Sequence, residues 1–248
     1  MNEPKTPGRL RSREQQLWFG LTHRNLPGRF TVLLFAILLL LCLAPVIQGH
    51  QLEQALMTVS LAAVLMSSLY ALSLTRSFFA IGVLLVIPAF IGRIVLVFAT
   101  TYTIEMISAG FSAAFLLYTV TALVSRLFTI KQVSLDMIAA SICAYLMMGV
   151  GWGFIFAMIE MTHRGSFSAG LLNLDPSGKT VSIIGALHNF MYYSFVCLTT
   201  TGYGDIAPLS QGARVTSVME SVFGQLYIAI LISRLVSLEV AQSMMKND

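Results

Sequence analysis

Apolar windows nearly free of charge recur along the chain at about the length, ~20 residues as helix, that crosses the hydrocarbon core of a bilayer. They fall at 30–47, 55–74, 77–99, 106–125, 137–159 and 213–237, which predicts six transmembrane helices. Two windows carry a charge well inside, Arg93 in the third and Glu220 in the sixth. Another apolar segment, 182–198, precedes the polar stretch Thr199-Thr200-Thr201-Gly202-Tyr203-Gly204-Asp205 and the turn Ala207-Pro208-Leu209-Ser210. The pattern is that of an all-α membrane protein.

Composition agrees. The 248 residues are 56% hydrophobic and only 10% charged, against about 25% charged in soluble domains, so most of the surface faces lipid. The net charge of +4 comes from clustered basic residues and serves as an orientation signal; it does not form a nucleic-acid patch. Cys42, Cys143 and Cys197 lie inside apolar runs and read as small hydrophobes, without disulfide or metal-ligand spacing. The four histidines are scattered and no enzyme motif is present.

Lysines and arginines set the orientation. With six crossings, the basic N-terminus, Arg76, Arg126, Lys131, Arg234 and Lys246 share one side. Glu53, Glu105, Asp175 and Asp205 share the other. Both termini are therefore expected in the cytoplasm of a multi-pass protein of the cell membrane. Residues 1–29 place Leu17-Trp18-Phe19 among arginines and read either as a short interfacial helix or as a basic tail.

The stretch 199–205 carries the most chemical information. Glycines on either side of Tyr203 free the backbone to take positive φ at alternate residues. Alternation turns successive carbonyls toward one side, and such carbonyls at membrane depth need a polar cavity or a cation. Thr200-Thr201-Gly202-Tyr203-Gly204 resembles the selectivity filter of tetrameric potassium channels, and the resemblance is specific over 183–238.

The resemblance implies that 182–198 re-enters as a pore helix between the fifth and sixth spans, with the filter mouth outside. It implies that the Thr200 hydroxyl and the carbonyls of Thr200, Thr201, Gly202 and Tyr203 replace the hydration shell of K+, with Gly204 closing the run. Tyr203 argues against a non-selective relative, and Thr201 stands where valine is commoner. Tyr192 and Tyr193 resemble the aromatic pair that braces the filter, and Asp205 the aspartate behind its mouth. One such stretch occurs per chain, so a homotetramer is required. No organic cofactor is implied.

Glu220 would either hydrogen-bond behind the filter or sit protonated at a subunit seam. Gly224 has the spacing of the family's hinge glycine. Helical spacing then puts Gln225, Ile228, Ala229, Ile232, Ser233 and Val236 on one face. That face is either the inner-cavity wall, closing at Ile232 and Val236, or a helix seam built on Ala229 and Ser233.

Six spans with the pore between the last two resemble the voltage-gated class. Residues 106–125 nevertheless contain no Lys or Arg, and Arg126 and Lys131 beyond them read as interface anchors or anionic-lipid contacts. Pro88 and Gly92 suggest a kink, with Arg93 snorkelling outward. The expected organisation is a cytoplasmic segment 1–29, a voltage-sensor-like domain without gating arginines at 30–131, a pore domain at 132–240 and a tail at 241–248. About ten residues follow the sixth span, too few for a regulatory domain of ~100 residues. The expected function is a potassium channel without steep voltage gating. The alternatives are a sensory or assembly subunit with a vestigial or partner-dependent pore, and a transporter.

Overall fold

A computed structural model of the chain describes residues 29–43, 50–73, 76–98, 101–129, 135–168 and 183–247. Among the described residues seven helices follow one another: α1 (Arg29–Leu43), α2 (His50–Leu72), α3 (Arg76–Phe98), α4 (Tyr102–Thr129), α5 (Leu135–Thr162), α6 (Ile183–Leu198) and α7 (Gln211–Asn247). No strand occurs among the described residues; an isolated bridge joins Phe167 to Pro208. The basic segment 1–28 and Lys131 lie outside the described residues.

Among the described residues, four helical stretches are long and apolar enough to cross a membrane: Phe78–Leu96, Tyr102–Phe128, Met137–Thr162 and Gln211–Leu238. The first two expected spans appear as the shorter apolar stretches Phe30–Cys42 and Leu56–Leu72. The 15 residues of α1 rise about 22 Å, less than the ~30 Å hydrocarbon core. At the other end α7 is one continuous helix of 37 residues, beginning two residues before the expected window and extending well past it.

Leu33, Ile37 and Leu40 repeat at helical spacing on α1 and are completely buried. They belong to a single apolar core with Leu61, Val64 and Leu65 of α2, Phe115 and Leu116 of α4, and Met147, Phe154 and Phe156 of α5. α5 is the central helix, packing against α1, α4, α6 and α7. α2 also touches α6, so the front helices share one core with the rear ones.

Buried hydroxyls inside these helices bond back to the preceding turn. Ser60 Oγ donates to Leu56 O at 2.7 Å, Ser67 to Ala63 O at 2.7 Å and Ser68 to Val64 O at 2.6 Å. A serine that satisfies itself locally can be packed in an apolar interior.

Arg93 corrects the expectation of a side chain reaching outward. It is buried, with its guanidinium 5.3 Å from the centre of the Phe154 ring on α5. The cause is the close approach of α3 and α4 at Gly92, where an added Cβ would lie 2.7 Å from Ser108 Cβ. Ser108 Oγ donates to Ala89 O at 3.1 Å across the same contact. That register turns Arg93 inward, where a ring face and Glu105 on α4 offer electrostatic compensation.

Gly92→Ala should therefore destabilise the fold by about 1–3 kcal/mol through overpacking, read as a lower thermal-unfolding midpoint in detergent. An unchanged midpoint would mean that α3 and α4 do not approach so closely.

Candidate functional site

The loop that ends α6 is built on its last carbonyls. Thr199 N bonds Phe195 O at 3.0 Å, Thr200 N bonds Cys197 O at 2.9 Å and Thr201 N bonds Val196 O at 3.0 Å. Beyond this, φ is +57° at Thr200, +61° at Gly202 and +80° at Gly204, while Thr201 and Tyr203 between them stay on the ordinary side. The two glycines were expected to do this. Thr200 was not, because a β-branched residue at positive φ is an outlier, held by its surroundings at a cost of about 1–3 kcal/mol.

Among the described residues, none donates a hydrogen bond to the carbonyls of Thr200, Thr201, Gly202 or Tyr203. Residues 199–205 are all exposed in the single chain. Their side chains are tied to one another and to α7: Thr199 and Thr201 hydroxyls meet at 2.8 Å, Thr200 Oγ1 donates to Thr199 O at 2.7 Å, and Gln225 Nε2 lies 3.5 Å from Thr200 Oγ1.

A polar seam between α6 and α7 lies behind the loop. Ser217 Oγ donates to Ala213 O at 2.7 Å, so the 2.6 Å contact with Tyr193 takes its proton from the tyrosine. Glu220 meets Ser194, and Ser221 Oγ donates to Cys197 O at 3.0 Å. Gly224 completes the row: a Cβ there would lie 2.5 Å from Leu198 O. The structure thus gives Gly224 a packing role, and α7 runs through it as unbroken helix. From α5, Tyr145 Oη donates to Leu198 O at 3.3 Å. The Tyr193 ring closes an aromatic cluster with Phe156 and Phe167, each at 5.0 Å between centroids and edge-on.

The far edge of the loop is fixed by a second set of contacts. Tyr192 Oη donates to Asp205 Oδ2 at 2.7 Å. This hydrogen bond holds the Asp205 carboxyl below the usual carboxylate range. The contact is therefore in place at neutral pH and is lost as pH falls through that lowered value.

Glu160, which the sequence reading passed over, accepts from Gly165 N at 2.9 Å and Phe167 N at 3.2 Å. The turn so formed pairs with the chain after the loop through Ser168 N to Ala207 O at 2.9 Å and Leu209 N to Ser166 O at 2.7 Å. Arg214, in the first turn of α7, donates from Nε to Pro208 O at 3.2 Å. Two signals for this region were present. A carboxylate in the last turn of a helix opposes the helix dipole and needs local donors, and Gly149-Val150-Gly151-Trp152-Gly153 is a small-residue pattern for close helix contact. The α6 chain fills it, with the Phe195 ring 2.6 Å from a Cβ built at Gly149 and the Met191 backbone 3.3 Å from one at Gly153.

Along the second half of α7, Gln225, Ala229, Ile232, Ser233 and Val236 are exposed in the single chain and Ile228 is half-buried. Ala229 and Ser233 also line an open groove of about 410 Å³ with Phe128, Ile230, Arg234 and Ser237. Arg234 donates there to Phe128 O at 3.2 Å. Arg126, in the last turn of α4, is half-buried.

Together these features define an all-helical, multi-pass membrane protein in which three helices hold an exposed loop whose 200–203 backbone carbonyls are paired by none of the described residues. Residues 152–240, which hold α6, the loop and most of α7, match a protein-family model described as an ion channel. The chain is also 27% identical over 128 residues to Protein LctB of Bacillus caldotenax, an alignment covering 51% of this chain and 91% of that protein. No solved structure matches it. The family match points to a transport protein and away from an enzyme.

Two substitutions test the site. Gly224→Ala should push α7 from the Leu198 carbonyl and lower thermal stability by about 1–3 kcal/mol; full stability would deny the close contact. Tyr192→Phe should return the Asp205 carboxyl toward its ordinary titration range, seen by carboxyl-carbon NMR; an unmoved titration would mean that the hydroxyl is not its partner.

Proposed function

We propose that the protein is a potassium-selective channel in which four copies bring the loops 199–205 together on a common axis. The carbonyls of Thr200, Thr201, Gly202 and Tyr203, with the Thr200 hydroxyl, then stand in for the hydration shell of K+. The observation that carries this reading is the alternation of φ at Thr200, Gly202 and Gly204 together with carbonyls that lack a donor. The ion-channel match over 152–240 supports it.

On this reading α1 to α5 and α7 make six crossings, α6 is the re-entrant pore helix, and both termini are cytoplasmic. α1, with 15 residues, would cross by virtue of local thinning and flanking residues, whereas the 23 residues of α2 are long enough as helix. Tyr192, Tyr193 and Asp205 brace the filter, and Gln225, Ile228, Ile232 and Val236 line the inner cavity. α4 carries Arg126 only in its last turn, so steep voltage dependence is not expected. Arg126 and the basic N-terminus are suited to anionic lipid.

Flux from purified protein in liposomes tests the proposal. Potassium should move at least about tenfold faster than sodium, as expected of a dehydrating carbonyl ring, and Gly202→Ala should abolish the flux because an alanine is strained at φ +61°. Comparable sodium flux would refute selectivity, and flux untouched by Gly202→Ala would refute the loop as the pathway.

A further inference from the structure

Glu220, Ser194 and the Gly149 carbonyl form a chain of three oxygens across α7, α6 and α5. All three residues are buried, Glu220 and Ser194 completely. Ser194 Oγ lies 2.7 Å from Gly149 O and in hydrogen-bond contact with Glu220 Oε1. A hydroxyl has one proton to give and a backbone carbonyl has none. The serine proton must therefore lie toward Gly149, because two unprotonated oxygens at 2.7 Å repel. The contact with Glu220 then requires its proton from the carboxyl group.

The other carboxyl oxygen points the same way. Oε2 is buried and has no hydrogen-bond partner among the described residues. A carboxylate would leave half of its charge on an oxygen that nothing solvates, whereas in a carboxylic acid Oε2 is a neutral carbonyl. From these two observations we propose that Glu220 is a neutral carboxylic acid, a positioning residue whose O–H rivets α6 to α7 through Ser194 while Ser194 rivets α6 to α5.

The rivet lies one turn before the end of α6, the helix from whose last carbonyls the loop hangs. Neighbouring bonds already occupy Cys197 O and Leu198 O from Ser221 and Tyr145. Ser194 is thus the point at which both flanking helices grip α6 through one side chain. With Glu220 ionised, Ser194 would have to abandon either Gly149 or the carboxylate, and α6 would lose one of its two supports. The protonation follows from the geometry alone; its consequence for conduction rests on the channel reading above.

Infrared spectra of the full chain in liposomes test the protonation directly. The difference between wild type and Glu220→Gln should contain the carbonyl band of a protonated carboxyl group at neutral pH; a difference containing only carboxylate bands would overturn the proposal. Potassium flux tests the role. Glu220→Gln, which keeps an N–H donor in the same place, should stay within about twofold of wild type, while Glu220→Leu, of similar volume and without a donor, should fall about tenfold, the equivalent of one buried hydrogen bond left unmade. Wild-type flux in Glu220→Leu would overturn the positioning role. Should Glu220→Leu fail to fold, a tenfold loss in Glu220→Gln would overturn that role equally. If the wild type itself carries no flux, the channel reading fails while the infrared band still decides the state of Glu220.

Discussion

Backbone carbonyls without donors are the constraint from which the rest of this structure follows. A loop whose Thr200 to Tyr203 carbonyls are paired by none of the described residues keeps its shape only where neighbouring elements hold it and water or another partner satisfies its oxygens. The molecule supplies the holding from every side. α6 lends its final carbonyls, α7 closes a row of small and polar residues from Ser217 to Gly224 against it, and α5 reaches in with Tyr145 and the Gly149 carbonyl. Beyond the loop, Tyr192 grips Asp205 and Glu160 organises the turn that pairs with 207–209. Positive φ at a threonine is tolerable only inside such a frame.

The helices were largely legible as apolar windows, because lipid-facing helices must be apolar throughout and charge interrupts them. Boundaries drifted where amphipathic ends continue a helix past the apolar window, as at the C-terminal end of α7. Alternating backbone sign at Gly202 and Gly204 was also readable, since glycine alone adopts that region freely. The same sign at Thr200 was not, because it depends on contacts from residues far away in sequence. Gly224 is instructive: its spacing suggested a hinge, yet its contact with Leu198 O is a matter of which helix lies against it. The expectation for Arg93 failed because packing decides its direction as well. Snorkelling follows from composition, whereas burial over Phe154 follows from the register of α3 on α4.

The front helices are joined to the rest by more than sequence. α1 and α4 both pack on α5, and Cys143 Sγ approaches Phe30 O at 3.4 Å. Arg93 on α3 faces a ring of the same helix that carries Gly149 and Glu160. α5 therefore stands between the front helices and the frame that shapes the loop. A rearrangement in front could reach the loop through this helix, whose interior is close-packed and transmits displacement, or through the direct contact of α2 with α6.

The central claim is that one such ribbon per chain, repeated by symmetry, encloses a dehydrated ion. A cryo-electron-microscopy map of the protein extracted from membranes in potassium chloride tests it most directly. The account predicts four copies about one axis, with the 200–203 carbonyls facing it and density for ions between them. Loops that diverge from any common axis, or a converged ring empty in concentrated potassium, would contradict it.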